Sequence, residues 1–132
     1  MGIIVDTSVW SLAFRRDSTV VQREVELLKQ LIDDAAGIFL LGIIATELLQ
    51  GIRRKEMFEV LRDQLLAYPF IEPEQQDYIF AAELVNQCLA RGIQIKTIDA
   101  LIASVTMRRE YSLLTADKDF SYIAKHFPLK LL

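Results

Sequence analysis

The chain has 132 residues, 52% of them hydrophobic and 25% charged, with three Pro and five Gly; that suits one well-filled domain and excludes a disordered or collagen-like chain. Lys and Arg number 15 against 18 Asp and Glu, a net charge of −3, so bulk positive field does not announce a nucleic-acid partner. One cysteine, Cys88, and one histidine, His126, exclude an internal disulfide, a multi-cysteine zinc site and mechanisms needing two imidazoles in one chain.

The first residues, Met1-Gly2-Ile3-Ile4-Val5-Asp6, lack a basic n-region and their apolar run is short, so no signal peptide is expected. Ile3 to Val5 reads as a buried strand, followed by a turn or helix cap at Asp6-Thr7-Ser8. After Arg15-Arg16-Asp17-Ser18, the stripe Val21, Val25, Leu28 and Ile32 predicts an amphipathic helix that Asp33-Asp34 and Gly37 end. Ile38 to Leu41 is a second buried strand. It lies in the longest run without a charged or hydrogen-bonding side chain, the 11 residues Ala35 to Ala45, far short of the ~20 needed to span a membrane.

From Thr46 a helix is expected, its spacing continued by Met57, Phe58, Leu61 and Leu65. Tyr68 to Ile71 suits a third strand, and Pro73 the first turn of the next helix. There Tyr78, Ala81, Ala82, Val85, Cys88 and Leu89 form one apolar face, closed by Gly92. Thr97 is placed to cap a helix carrying Ile98, Leu101, Ile102 and Val105. Ser112 to Thr115 is a fourth strand, Asp119 to His126 a short helix and Leu129 to Leu131 a fifth strand. Alternating short strands and helices predict one α/β domain over residues 1–132, an α/β/α sandwich around a parallel sheet, without repeats or linkers. A cytoplasmic location and no membrane partner are expected.

In such a fold every strand ends, and every helix begins, on one edge of the sheet, where ligands bind. Asp6 and Asp117 follow the first and fourth strands, and Glu47 and Asp99 fall in first helical turns, so all four reach that edge. Asp17, Glu72, Glu74 and Asp119 reach it too, so topology alone does not select a site. Each acid also has a plain structural reading: Asp6 as a helix cap, Asp99 as a partner of the helix dipole, Asp117 and Asp119 as turn residues. Glu47 has the weakest one. Ile44 stands where a capping box needs Ser or Thr, and its neighbours Ile43, Ile44, Ala45, Leu48 and Leu49 are apolar. A carboxylate buried there needs a cation.

Four segments occur in an order that resembles the PIN domains, and within them the VapC-type toxins of toxin–antitoxin pairs. They are Val5-Asp6-Thr7-Ser8, Ala45-Thr46-Glu47-Leu48-Leu49-Gln50-Gly51, Thr97-Ile98-Asp99-Ala100-Leu101-Ile102-Ala103 and Leu114-Thr115-Ala116-Asp117-Lys118-Asp119-Phe120. The resemblance implies a five-stranded parallel sheet and an endoribonuclease dependent on Mg²⁺ or Mn²⁺. Its acidic quartet, catalytic and metal-holding, would be Asp6, Glu47, Asp99 and Asp117, with Asp119 as a further candidate ligand. Thr7, Ser8 and Thr115 match hydroxyl positions near the metal, whereas Ala116 replaces a larger polar or basic residue of many relatives. The resemblance also implies an RNA substrate, products with 5′-phosphate and 3′-hydroxyl ends, a homodimer, and a cognate antitoxin covering the acidic site.

The residue types suit this chemistry, because Mg²⁺ prefers carboxylate oxygens and can activate water without a histidine base. Setting four acids aside for metal turns the net charge of −3 slightly positive. Arg15, Arg16, Arg53, Arg54, Lys55, Lys96 and Lys118 lie on segments able to approach the same edge, or else form solvated surface. His126, Cys88 and Trp10 read as structural. Competing readings are an aspartyl phosphoryl-transfer domain, a non-catalytic PIN-like interaction module and a structure-specific DNA nuclease. The first would want an acceptor Asp after its third strand, and Tyr68 to Pro73 supplies none.

Overall fold

Short β-branched and leucine-rich runs form the centre of the sheet, since a strand covered on both faces must be apolar throughout. The computed structural model describes residues 2–14 and 22–132. In chain order these form β1 (Gly2–Val5), α1 (Thr7–Ala13), α2 (Arg23–Asp33), β2 (Gly37–Leu41), α3 (Gly42–Leu49), α4 (Lys55–Leu66), β3 (Phe70–Ile71), α5 (Gln75–Ala90), α6 (Thr97–Arg108), β4 (Ser112–Leu114), α7 (Asp119–His126) and β5 (Lys130–Leu131). Every strand pair is parallel and the strand order is β3-β2-β1-β4-β5. The expected five-stranded α/β architecture is therefore present. Ile4, Val5, Leu40, Leu41, Leu113 and Leu114, all on the three central strands, have no solvent exposure.

The chain moves from β1 through β2 to β3 in one direction and returns to β4 and β5 on the other side of β1. Right-handed crossovers then put α1–α4 on one face of the sheet and α5–α7 on the other, and the helices pack within those two groups. The reversal makes the C-terminal edge between β1 and β4 a switch point, the usual location of a ligand crevice in open α/β sheets. None of the described helices is long and apolar enough to cross a membrane.

Several boundaries differ from expectation. The helix expected from Thr46 begins at Gly42, directly after β2, so Glu47 sits in its second turn rather than its first. That helix does not run on to Leu65. Gly51, at φ 85°, takes a left-handed conformation that a side chain disfavours, and α4 starts afresh at Lys55. Gly92, at φ 78°, ends α5 as expected. Pro73 lies before α5, which Glu74 caps, and Lys96 rather than Thr97 is the N-cap residue of α6.

The buried stripe of α5 is also rotated from the expected one. It runs through Asp77, Ala81, Leu84 and Cys88, while Tyr78 and Leu89 are exposed. On α2, Leu28 is buried but Ile32 is exposed; Val21 lies outside the described residues. Trp10 and Cys88 are structural, as expected. Trp10 is buried, its Nε1 donates to the Val5 carbonyl at 3.1 Å, and its ring packs on Phe14 and Tyr68. Cys88 is buried and its thiol pKa is raised by desolvation. His126 ends α7 with its ring against Tyr122.

Candidate metal centre

Asp6, Thr7, Ser8, Glu47, Asp99 and Asp117 line one cleft of about 320 Å³ at the switch point. Three pieces of the fold bring them there. β1 and β4 lie side by side and the Asp6 N–H extends their ladder, donating to the Leu114 carbonyl at 3.1 Å. The segments after these strands, which carry Asp6 and Asp117, therefore start together. Glu47 comes from α3 on one face of the sheet, and Asp99 from the first turn of α6 on the other.

Hydroxyls then fix the carboxylates. Ser8 donates to Oδ1 of Asp6 at 2.5 Å and Thr115 to Oδ2 at 2.8 Å, so both oxygens of this buried side chain are engaged. The same hydroxyl oxygens accept backbone N–H groups from the loop after β4: Ser8 from Ala116 at 3.0 Å and Thr115 from Asp117 at 2.9 Å. Asp117 in turn accepts the N–H of Asp119 at 2.9 Å, an Asx-type bond that holds the loop as it enters α7. Thr7 donates to Glu47 at 2.8 Å, joining α1 to α3. The three hydroxyl residues named from the sequence all contact the acids or their loop. Asp6 is the N-cap residue of α1, but the Ser8 and Thr115 hydroxyls hold its carboxylate as well, so capping alone does not account for it.

Asp119 does not line the cleft, yet one carboxylate oxygen from each of Asp99, Asp117 and Asp119 falls within 4.8 Å of the others. Asp6 and Glu47 lie outside that triangle. Glu72 and Glu74, expected at the same edge, are elsewhere. Arg109 binds the Glu72 carbonyl at 3.3 Å and the Glu74 carboxylate at 3.4 Å. That holds them at the far end of α6, ~15 Å along the helix from Asp99 at 1.5 Å rise per residue. Asp17, Arg15 and Arg16 lie outside the described residues. The cleft also takes Lys96, Thr97, Ile98 and Ile102. Of these, the last three were read only as part of a helix, although the i, i+3 spacing of Asp99 and Ile102 already placed them on one face.

The electrostatics are those of acids short of cations. Burial lifts the Asp6 carboxyl above its ordinary range, against the hydrogen bonds from Ser8 and Thr115. Burial and then Asp117 push Asp99 from 3.8 to about 6, with Asp119 and Asp6 adding to the rise and Lys96 opposing it. Oδ2 of Asp99 is buried with no hydrogen-bond partner. A buried acceptor without a donor is costly, and convergent carboxylate oxygens are the donor set that hard divalent cations prefer. The residues present fit such an ion.

The comparisons with known proteins agree with this geometry. Residues 3–126 match the model of the PIN domain. Ribonuclease VapC11 of Mycobacterium tuberculosis is 29% identical over 125 residues, covering 93% of this chain and 92% of that protein. Among solved structures, VapBC2 from Rickettsia felis bound to a promoter DNA fragment superimposes with a TM-score of 0.78 at 21% identity, covering 100% of this chain and 98% of the other. VapBC-1 from nontypeable Haemophilus influenzae gives 0.77 at 18% identity, covering 100% and 97%. With the acids meeting where β1 and β4 end, and the family model spanning nearly the whole length, the chain belongs to the PIN-domain family.

Proposed function

We propose that this protein is a metal-dependent endoribonuclease, the toxin of a VapBC-type toxin–antitoxin pair, acting in the cytoplasm. The observation that carries the reading is a cleft where four acidic residues meet and an oxygen of Asp99 is buried without a partner. Membership of the PIN family and the likeness to ribonuclease VapC11 support it. The ion is Mg²⁺ or Mn²⁺, held by the quartet Asp6, Glu47, Asp99 and Asp117, with Asp119 alongside. When bound, it supplies Lewis acidity toward a phosphodiester and makes water a competent nucleophile near neutral pH.

The chain's own residues do the rest. Ser8 and Thr115 hold Asp6, and Thr7 holds Glu47, so the acids need little reorganisation when the cation and a phosphate arrive. Water oxygen bonds to phosphorus, the bond to the 3′-oxygen breaks, and that oxygen takes a proton, leaving 5′-phosphate and 3′-hydroxyl ends. The partners are the RNA substrate, a second copy of the chain and an antitoxin that occludes the cleft.

Cleavage assays with single-stranded RNA and duplex DNA, each with Mg²⁺ or EDTA, test the reading. Asp6→Asn, Glu47→Gln, Asp99→Asn and Asp117→Asn should each nearly abolish RNA cleavage, and Asp119→Asn should do less. Full activity in any two quartet variants, with folding verified by circular dichroism, removes the site. Cleavage of duplex DNA alone removes the substrate assignment.

A further inference from the structure

Of the seven bases on segments able to approach the catalytic edge, the structure separates one. Lys96, the residue before α6, lines the cleft with the acids and is the one cation among the described residues that do so. Arg54 lines a different groove, between the end of α1 and α4. Arg53, Lys55 and Lys118 line neither. Lys96 is exposed, and within the described residues it makes no ion pair with any carboxylate, although four acidic residues share its cleft.

That combination needs an explanation, because an ammonium on a flexible four-carbon stem is well able to settle onto a neighbouring carboxylate. A single divalent ion cancels only two of four carboxylate charges, so a phosphate approaching the cleft still meets a negative field. An ammonium at the mouth offsets that field where the polyanion enters. Ile98 and Ile102 line the same cleft and give it a partly apolar wall. We infer that Lys96 is a substrate-positioning residue whose ammonium binds a backbone phosphate of the nucleic acid adjoining the scissile bond. The inference rests on the ribonuclease reading and names which of the chain's cations meets the substrate at the catalytic cleft.

The test uses a fluorescein-labelled single-stranded RNA of mixed sequence, with wild type, Lys96→Ala and Lys96→Arg. Binding is followed by anisotropy with Ca²⁺ in place of Mg²⁺ over a salt series, and cleavage by initial rates with Mg²⁺. One phosphate contact on a single strand contributes about 0.7 to the slope of log K against log salt. Lys96→Ala should flatten the slope by that amount, weaken binding about fivefold near 0.1 M salt and raise KM more than it lowers kcat. Lys96→Arg should restore both the slope and KM. If Lys96 only balances the acids within the protein, Lys96→Ala lowers the melting temperature in EDTA and leaves the slope unchanged. That outcome overturns the inference while the ribonuclease reading stands. A wild type that neither binds nor cleaves RNA removes the reading, and the inference with it.

Discussion

Asp77 and Asp6 are the two buried carboxylates among the described residues, 0% and 4% exposed, and their surroundings are opposite in character. Asp77 sits near the start of α5, where it accepts the Glu74 N–H at 2.7 Å as part of a capping box. Arg108 reaches Oδ1 at 2.7 Å, and Arg109 reaches Oδ1 at 3.3 Å and Oδ2 at 3.1 Å. Burial raises its pKa, but these donors outweigh burial and hold it below the ordinary carboxylate range. Ser104 adds a bond to the Asp77 carbonyl at 2.8 Å, and α5 and α6 pack more extensively than any other pair of helices. Asp6 has hydroxyl donors and no guanidinium, and its pKa is raised. An acid that brings its own cations fastens the fold; the acids of the cleft have only Lys96 beside them among the described residues and, on the proposed reading, take a cation from outside.

The largest effect that separates the two regions is on stability. Asp77→Ala leaves two guanidiniums facing a vacated site and uncouples the cap of α5, and breaking a buried pair this way costs about 3–5 kcal/mol. Against a typical total of ~5–15 kcal/mol, urea denaturation should show the midpoint falling steeply. Asp99→Asn, measured without metal, should leave the midpoint unchanged or raise it. If both substitutions destabilise equally, the distinction between fastening and metal-holding acids is lost.

The next effect is on metal. Without an ion Asp99, Asp117 and Asp119, each with an oxygen within 4.8 Å of the others, repel one another, and two unit charges ~4 Å apart cost about 4 kcal/mol at an effective dielectric near 20. A divalent ion that binds only the folded state at ~100 times its dissociation constant adds about 2.7 kcal/mol. Melting curves in EDTA and in Mg²⁺ at matched ionic strength should show that gain in wild type and in Lys96→Arg. Asp99→Asn should lose most of it. Equal responses of wild type and Asp99→Asn to Mg²⁺ would take Asp99 out of the site.

Much of the sheet was legible because its signal is local. Ile3-Ile4-Val5 is an apolar run too short for a helix and Asp6-Thr7-Ser8 follows it, while Ile38 to Leu41 is marked at its start by Asp33-Asp34 and Gly37. Position after a strand or in a helical turn brought the acids of the cleft to the right edge but did so equally for Glu72 and Glu74, which lie elsewhere; only the resemblance singled out Asp6, Glu47, Asp99 and Asp117. Asp77 was not legible, since a buried aspartate looks like surface in a helical pattern until its arginines, 31 and 32 residues away, are known. An apolar face drawn without it turned the stripe of α5 toward Tyr78 and Leu89, both about half exposed. The start of α3 was missed for a related reason. Gly42-Ile43-Ile44-Ala45 continues the apolar run of β2 without a polar cap, and only tertiary packing turns it into helix. Glu47 was therefore given the right edge for a partly wrong reason, a first-turn position that it does not occupy.

The smallest effect is a dependence on pH, and its sign follows from the two shifts. In the absence of metal the folded state holds a proton on Asp99 up to about pH 6, whereas the unfolded chain releases it near 3.8. Between those values the folded state binds more protons, so stability falls as pH rises and stays lowered above the window. The raised pKa of Asp6 acts in the same direction. Asp77 acts in the opposite sense and in a separate range: its contribution is complete above 3.8 and is lost as pH falls through its lowered folded value. Apo protein melted at intervals between pH 4 and 7 should therefore lose stability toward neutrality through Asp99, and Asp99→Asn should show a shallower decline. Mg²⁺ competes with the same proton, so its stabilising effect should be weaker at pH 5 than at pH 7. Superimposable profiles for wild type and Asp99→Asn in EDTA would mean that Asp99 is an ordinary surface acid, and the contrast with Asp77 would fail at its metal-holding end.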